Sequence, residues 1–488
     1  MWSKKMGKKS LKSNLIYNTI YQITIMILPF LTAPYISRVI GADGLGTYSY
    51  SHAVALYFVY FAMLGLSNYG NREIAKNSDN NEKLNKVFSS IYFLQIITSI
   101  FVGIVYLFYV FFLAKGNKYI NVIMFLHVVS AVFDVSWLFF GLQEFKITSI
   151  RQIIIKIISF ISIFIFVKNK NDLWIYTLIM SLSYFLSAFS LWIMMFKKVK
   201  VTKCDISDVL KHLKPCLILF IPIIATSVYR VMDKIMIGSF CDMSQVGYYE
   251  NAEKIILISL GILNAFSAVV MPKIANLLSN NKSEEAAELT DKSMKASMFI
   301  CFAVSFGIAA VAKEFIPIFF GKGFYASINI CSLLCISVPF ITWSTMIRNL
   351  YLIPHEEDKI YVKSVVIGAV VNFVLNLIFI KKYQALGAVI GTLSAEFALA
   401  LYQTIKVRNE INIKKYSKYA ISFAIIGIIM FIGIEKISNS LAISNEMVLL
   451  FIKIFIGVTI YCCLSSIYFI RTKDAMFIKL FKKNNGKI

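Results

Sequence analysis

The chain has 488 residues, 58% of them hydrophobic and only 16% charged, with a formal net charge of +24. Its mean hydropathy of +0.72 lies outside the range of soluble globular proteins and excludes an assembly of soluble domains. The apolar residues fall instead in runs of about 20 to 27, the length that crosses a hydrocarbon core of roughly 30 Å. Lipid offers no partner to backbone N–H and C=O groups, so each run must be a helix. The alternating segments of about 10 residues that build a membrane β-barrel do not occur. In a soluble protein +24 would suggest nucleic acid; here the excess Lys and Arg reads as topogenic charge in loops, and no nucleic-acid partner is expected.

In chain order, the basic start from Met1 to Lys12 is followed by an apolar stretch from Leu15 to Ile36. That stretch is too long for a signal-peptide core and reads as the first span. Spans are expected at 14–37, 47–68, 87–113, 119–140, 147–167 and 173–196. After a basic linker come 214–240, 247–272, 294–320, 325–351, 361–381, 384–406, 416–434 and 447–470. The expected fold is all-α and integral to the membrane, with about fourteen transmembrane helices. With the N-terminus cytoplasmic, inside segments carry 34 Lys and Arg and outside loops carry 9. The positive-inside rule therefore predicts a multi-pass protein of the cell membrane with both termini cytoplasmic.

The first and seventh spans end in similar phrases. One runs Pro34 to Gly41 and continues Gly46-Thr-Tyr48; the other runs Arg230 to Gly238 and continues Gly247-Tyr248-Tyr249. Six helices and a linker separate the copies, which makes the repeat parallel. The predicted organisation is a first lobe at 1–196, a cytoplasmic basic linker at 197–213, a second lobe at 214–406, and a final helix pair with a basic tail at 407–488.

Ionisable side chains at membrane depth cost roughly 2.5–3.5 kcal/mol each and by default mark function. Arg230, Asp233 and Lys234 share one face of the seventh span at offsets of three and four. Glu250, Glu253 and Lys254 follow in the eighth span, within reach of them. Asp134 lies in the fourth, Arg151 and Lys156 in the fifth, Arg348 in the tenth, Glu396 in the twelfth and Lys453 in the last. Counted this way, seven cations face five acids, and an anion is the natural partner for the surplus. The acids Asp134, Asp233, Glu250, Glu253 and Glu396 serve either ion coupling or charge pairing. His52 and His127 read as structural, while His212 and His355 carry no signal. The eight cysteines are scattered without a metal-ligand pattern and read as packing residues.

Residues 28–46 (LPFLTAPYISRVIGADGLG) resemble the first-helix signature of bacterial Wzx-type polysaccharide flippases, members of the MATE-like MOP superfamily. Residues 66–76 (LSNYGNREIAK), 233–238 (DKIMIG) and 247–252 (GYYENA) resemble the same family. The resemblance implies two six-helix lobes with two further C-terminal helices. It also implies outward movement of undecaprenyl-diphosphate-linked oligosaccharide, for cell-surface polysaccharide biosynthesis by alternating access. The motif positions Arg38, Arg72, Arg230, Asp233 and Lys234 would then contact substrate, and depth and charge add Arg151, Lys156 and Arg348. The partners it implies are the lipid-linked oligosaccharide, membrane lipids and other polysaccharide-assembly proteins.

A bare diphosphate moved into hydrocarbon would cost tens of kcal/mol, a cost that a wet cationic cavity removes. A lipid II flippase shares this chemistry, whereas a multidrug exporter of the same fold would call for an acidic cavity. A polysaccharide polymerase would carry a large outside loop with Arg or His, and the longest outside loop here, Glu435 to Glu446, has neither. No nucleophile, metal set or nucleotide loop is present, so no catalysis is expected. No cofactor is expected either, although a proton or sodium gradient is a candidate driving force.

Overall fold

The first helix, α1 (Lys8–Met63), is too long to cross a membrane once. Its 56 residues would extend about 84 Å at 1.5 Å per residue, nearly three times the hydrocarbon thickness. It breaks at Gly41, whose φ of 77° and ψ of 179° lie outside the helical region and suit a residue without Cβ. The two expected first spans are therefore the arms of one broken helix. The computed structural model describes residues 8–114, 116–441 and 443–472. The basic residues 1–7, Lys115 and the basic tail from 473 lie outside the described residues.

The chain continues through α2 (Leu66–Asn77), α3 (Asn81–Phe108), α4 (Lys118–Phe133), α5 (Ser136–Gly141), α6 (Phe145–Phe166) and α7 (Leu173–Met195). Next are α8 (Ile206–Leu210), α9 (Leu213–Phe240), α10 (Met243–Ser279), α11 (Ser283–Phe320), α12 (Ala326–Leu334) and α13 (Ser337–Ile347). The last are α14 (Asp358–Tyr383), α15 (Ala385–Val407), α16 (Ile413–Ser440) and α17 (Glu446–Arg471). Among the described residues, 13 helical stretches are long and apolar enough to cross a membrane. The first of them, Ile27–Asn77, runs through the break at Gly41 and so covers parts of both of the first two expected spans.

Two expected spans are broken helices, and each break has its polar groups satisfied. Between α4 and α5 the Asp134 carboxylate accepts from the Ser136 N–H at 3.0 Å. Gln95 Nε2 donates to the Ala131 and Asp134 carbonyls at 2.7 and 3.0 Å, and Trp137 Nε1 donates to Gln95 Oε1 at 2.9 Å. Between α12 and α13 the cause is Pro339, which lacks the N–H that would reach back to the Cys335 carbonyl. That carbonyl accepts instead from the Val338 N–H at 3.2 Å and from the Ser305 hydroxyl of α11 at 2.6 Å. The expected polar break at 273–295 is a further difference: α10 runs on to Ser279 and α11 begins at Ser283. Pairs at helical spacing, Lys282–Glu285 and Lys292–Glu288, support the start of α11.

The described chain divides into two compact units: residues 1–250 with 372–388, and residues 251–371 with 389–488. In the first, the core gathers around the buried Trp137, Phe88 and Phe139. The basic linker is fastened to this unit. The Lys200 and Thr202 N–H groups donate to Asn85 Oδ1 and Ser89 Oγ, both at 2.8 Å, and Lys86 pairs with Asp208 at 3.1 Å. His212, silent in the sequence, is buried and hydrogen-bonded through Nδ1 to the Tyr69 hydroxyl at 2.7 Å and through Nε2 to Ser90 Oγ at 2.8 Å.

In the same unit the two repeat phrases meet. A methyl group at Gly46 would stand 1.7 Å from the Met243 carbonyl oxygen, and one at Gly247 would stand 2.1 Å from that of Ala42. Backbone thus crosses backbone where the second arm of α1 passes the start of α10. Gly247→Ala is expected to destabilise this crossing by at least about 1–3 kcal/mol, since the clash is with main chain and no rotamer relieves it. Thermal unfolding of the detergent-purified variant checks this, and an unchanged midpoint would contradict the close crossing.

In the second unit α11 packs on α13, α16 and α17. The Tyr461 hydroxyl donates to the Phe299 carbonyl at 2.7 Å, and Lys415 pairs with Asp291 at 3.0 Å. Lys453 of α17 is buried and pairs with Glu314 of α11 at 2.9 Å and with Glu435 of α16 at 3.1 Å. This triad ties the final helix pair to α11. It also corrects the charge tally, which omitted both Glu314 and its neighbour Lys313 within the span 294–320. Lys453 is not surplus charge.

Candidate functional site

One turn of α9 brings together the residues that offsets of three and four predict. Asp233 is only 2% exposed. Its Oδ2 accepts from the Tyr249 hydroxyl and its Oδ1 from Asn376 Nδ2, each at 2.6 Å. Asn376 Nδ2 also donates to Asn372 Oδ1 at 3.0 Å. Asn376 Oδ1 and Asn372 Nδ2 are buried and have no hydrogen-bond partner among the described residues. Carboxylate and amide oxygens of this kind are the donors a small hard cation takes. No group of three or more His, Cys, Asp and Glu that could hold a metal ion occurs among the described residues.

Lys234, one residue on, pairs with Glu250 of α10 at 2.7 Å, and both side chains are largely buried. Arg230, one turn before Lys234, lines a cavity of about 290 Å³ with Tyr60, Pro222, Thr226 and Ser227. A cation on a cavity wall with hydroxyls beside it can bind an anion. An anion that drew Lys234 away would leave the largely buried Glu250 carboxylate without this counter-charge, a cost that another positive charge or a proton would have to offset.

Arg151 and Lys156 lie apart from this cluster along α6. Nη1 of Arg151 donates to the Ser187 carbonyl and to Ser190 Oγ of α7, and Asp134 is within electrostatic reach. Asp134 thus serves two structural purposes, a cap at the helix break and a counter-charge. The Lys156 ammonium stands 4.7 Å over the ring of Tyr184. Tyr184 in turn stacks on His127, and His127 on His52.

Other predicted positions are not gathered here. Arg38 is exposed three residues before the Gly41 break. Arg72 lies exposed on α2, 3.5 Å from Glu73 and with its guanidinium over Tyr69. α2 starts beside the Cys216 carbonyl, because Gly65 meets it, and Arg230 lies 14 residues further along α9. That places Arg230 about 21 Å along the helix axis from the point where α2 begins. Arg348, Glu253 and Glu396 belong to the second unit. There Arg348 donates to Asn349 Oδ1 at 2.9 Å and stacks on Tyr361, and Glu396 is buried.

Asn372, Asn376 and Tyr249 are the residues that a search for charges passes over. A signal existed in the pair of amides four residues apart within the apolar run of α14, since an uncompensated amide in hydrocarbon is costly.

Residues 11–278 match the model of a family described as polysaccharide biosynthesis protein. The chain is 25% identical over 409 residues to a protein of Escherichia coli (strain K12) named putative O-antigen transporter, covering 83% of this chain and 98% of that one. It is 24% identical over 242 residues to the probable low-salt glycan biosynthesis flippase Agl15 of Haloferax volcanii, covering 49% and 50%. Among solved structures it resembles the lipid II flippase MurJ in an inward closed conformation, with a TM-score of 0.76 at 18% identity over 94% of this chain and 99% of that one. A MATE structure in complex with MaL6 is more distant, with a TM-score of 0.53 at 14% identity over 82% and 96%. These two likenesses establish a fold of the MurJ and MATE kind.

Proposed function

Since the chain belongs to the polysaccharide biosynthesis protein family, we propose that it is a flippase for lipid-linked oligosaccharide repeat units. It is a multi-pass membrane protein and not an enzyme, and its relatives are named transporters and flippases. The substrate class is undecaprenyl-diphosphate-linked oligosaccharide, carried from the cytoplasmic to the outer leaflet. The observation that carries this reading is the cationic turn of α9, with Arg230 on a cavity wall and Lys234 in a pair that an anion can exchange. Two negative charges moving outward across 100 mV, inside negative, gain roughly 4–5 kcal/mol. The potential therefore favours export once the cavity has replaced the water of the diphosphate.

The lobes at 1–196 and 214–406 alternate access to the substrate, and the pair at 407–488 is an addition to them. Both termini face the cytoplasm, as the ratio of 34 to 9 requires. Asp233 with its amides, and Glu396, are the places for a coupling ion, proton or sodium. Arg38, Arg72, Arg151, Lys156 and Arg348 are further candidate contacts for the substrate. A lipid II flippase is the second reading, because lipid II bears the same diphosphate. Depletion of the protein in its own host separates them. The expected result is accumulation of an oligosaccharide on undecaprenyl diphosphate at the cytoplasmic face. Accumulation of lipid II alone supports the second reading, and accumulation of neither defeats both.

A further inference from the structure

His52 of α1 and His127 of α4 lie parallel in the interior of the first unit, with ring centroids 5.3 Å apart and planes within 7°. Tyr184 of α7 stacks on His127 at 4.1 Å, and Tyr48 lies 5.7 Å from His52. His127 is 4% exposed. Its Nδ1 and the Nε2 of His52 are buried and have no hydrogen-bond partner among the described residues. Polar atoms left this way cost free energy, and in native structures each calls for an explanation. A neutral imidazole has one donor and one acceptor nitrogen, so two stacked rings offer two lone pairs. They can share one proton only against the cost of placing its charge in a buried site, and a second only against the further repulsion of two imidazolium rings in contact.

The groups facing the pair come from four further helices and from α1 itself. Lys156 of α6 stands over Tyr184. Lys234 of α9 and Glu250 of α10 form their 2.7 Å pair within electrostatic reach of His52. The hydroxyls of Tyr48, Tyr176 and Tyr184 complete the surroundings. A buried titratable pair beside an exchangeable ion pair is a place where one binding event can be linked to another.

We propose that His52 and His127 form a proton-binding site that takes one proton for the two rings, and that the Lys234–Glu250 pair sets its occupancy. The proton comes from water and adds to an imidazole lone pair; no other bond changes. When Lys234 turns to an incoming anion, it no longer offsets the Glu250 charge, and a proton on the imidazoles restores the balance. Anion and proton then bind together. Only this last step rests on the flippase reading, through the identity of the anion.

The test is a nuclear magnetic resonance titration of the full-length protein in lipid nanodiscs with ¹⁵N-labelled histidine. The chain has four histidines, and His52→Gln and His127→Gln assign the pair, either variant sufficing if the other fails to fold. The pair is expected to take up one proton between about pH 4 and 8. Lys234→Gln should raise its proton affinity about tenfold, and Glu250→Gln should lower it by about the same factor. Uptake of no proton, uptake of two with independent midpoints, or a midpoint that neither variant moves would overturn the proposal. Millimolar inorganic diphosphate should also raise the affinity. A site that responds to both variants but not to diphosphate would overturn the anion step and leave the proton site standing.

Discussion

Asp233→Ala is expected to yield a protein that inserts in the membrane but supports at least about tenfold less glycan display, a loss of 1.4 kcal/mol or more in the transport cycle. The carboxylate accepts from the Tyr249 hydroxyl and the Asn376 amide, both in the buried interior. Removing it takes an acceptor from the Tyr249 hydroxyl and one of two acceptors from the Asn376 amide, and a buried donor that loses its acceptor costs about 1–3 kcal/mol, so the turn that carries Arg230 and Lys234 loses an anchor. Asp233→Asn separates anchoring from charge. It keeps an acceptor for Tyr249 but removes the charge a coupling ion would need. Surface glycan and membrane-inserted protein are measured side by side for both variants. Full display from Asp233→Asn would exclude the carboxylate as an ion site, and full display from Asp233→Ala would remove this turn from the mechanism.

Lys453→Met should have the second large effect, on stability and not on substrate. The ammonium sits between Glu314 and Glu435, and Glu314 is almost fully buried. Taking away the cation leaves a carboxylate in an apolar setting, which costs about 3–5 kcal/mol. The final helix pair should loosen from α11, seen as a lower melting temperature in detergent. Pairing Lys453→Met with Glu314→Leu should restore most of the loss, because two apolar side chains fill the site without a stranded charge. A double variant no more stable than Lys453→Met would contradict the triad as the source of the effect.

The spans were readable because hydrocarbon imposes one rule on every crossing, and length alone separates spans from loops. The two similar phrases were readable too, and the structure shows that their backbones come together at Gly46 and Gly247. The breaks were harder. Pro339 announces a disturbed helix, but where its stranded carbonyl goes depends on Ser305, 30 residues away and on another helix. Asp233 was visible as a buried charge, yet its partner Asn376 lies 143 residues on and carries no charge to attract notice. The partner of Lys453 was missed because Glu314 sits near the end of its helix, where depth is difficult to judge from composition. The stacked rings of His52 and His127 were invisible, since neither residue alone departs from an ordinary structural histidine.

The central claim is that the cationic turn of α9 carries a lipid-linked diphosphate across the bilayer. The most direct measurement is the transbilayer movement of undecaprenyl-diphosphate-linked oligosaccharide in proteoliposomes holding the purified protein. Movement is expected with the native chain, and at least about a tenfold loss when Arg230→Gln and Lys234→Gln are combined, with equal amounts of folded protein inserted. Undiminished movement in that double variant, or none with the native chain, would contradict it.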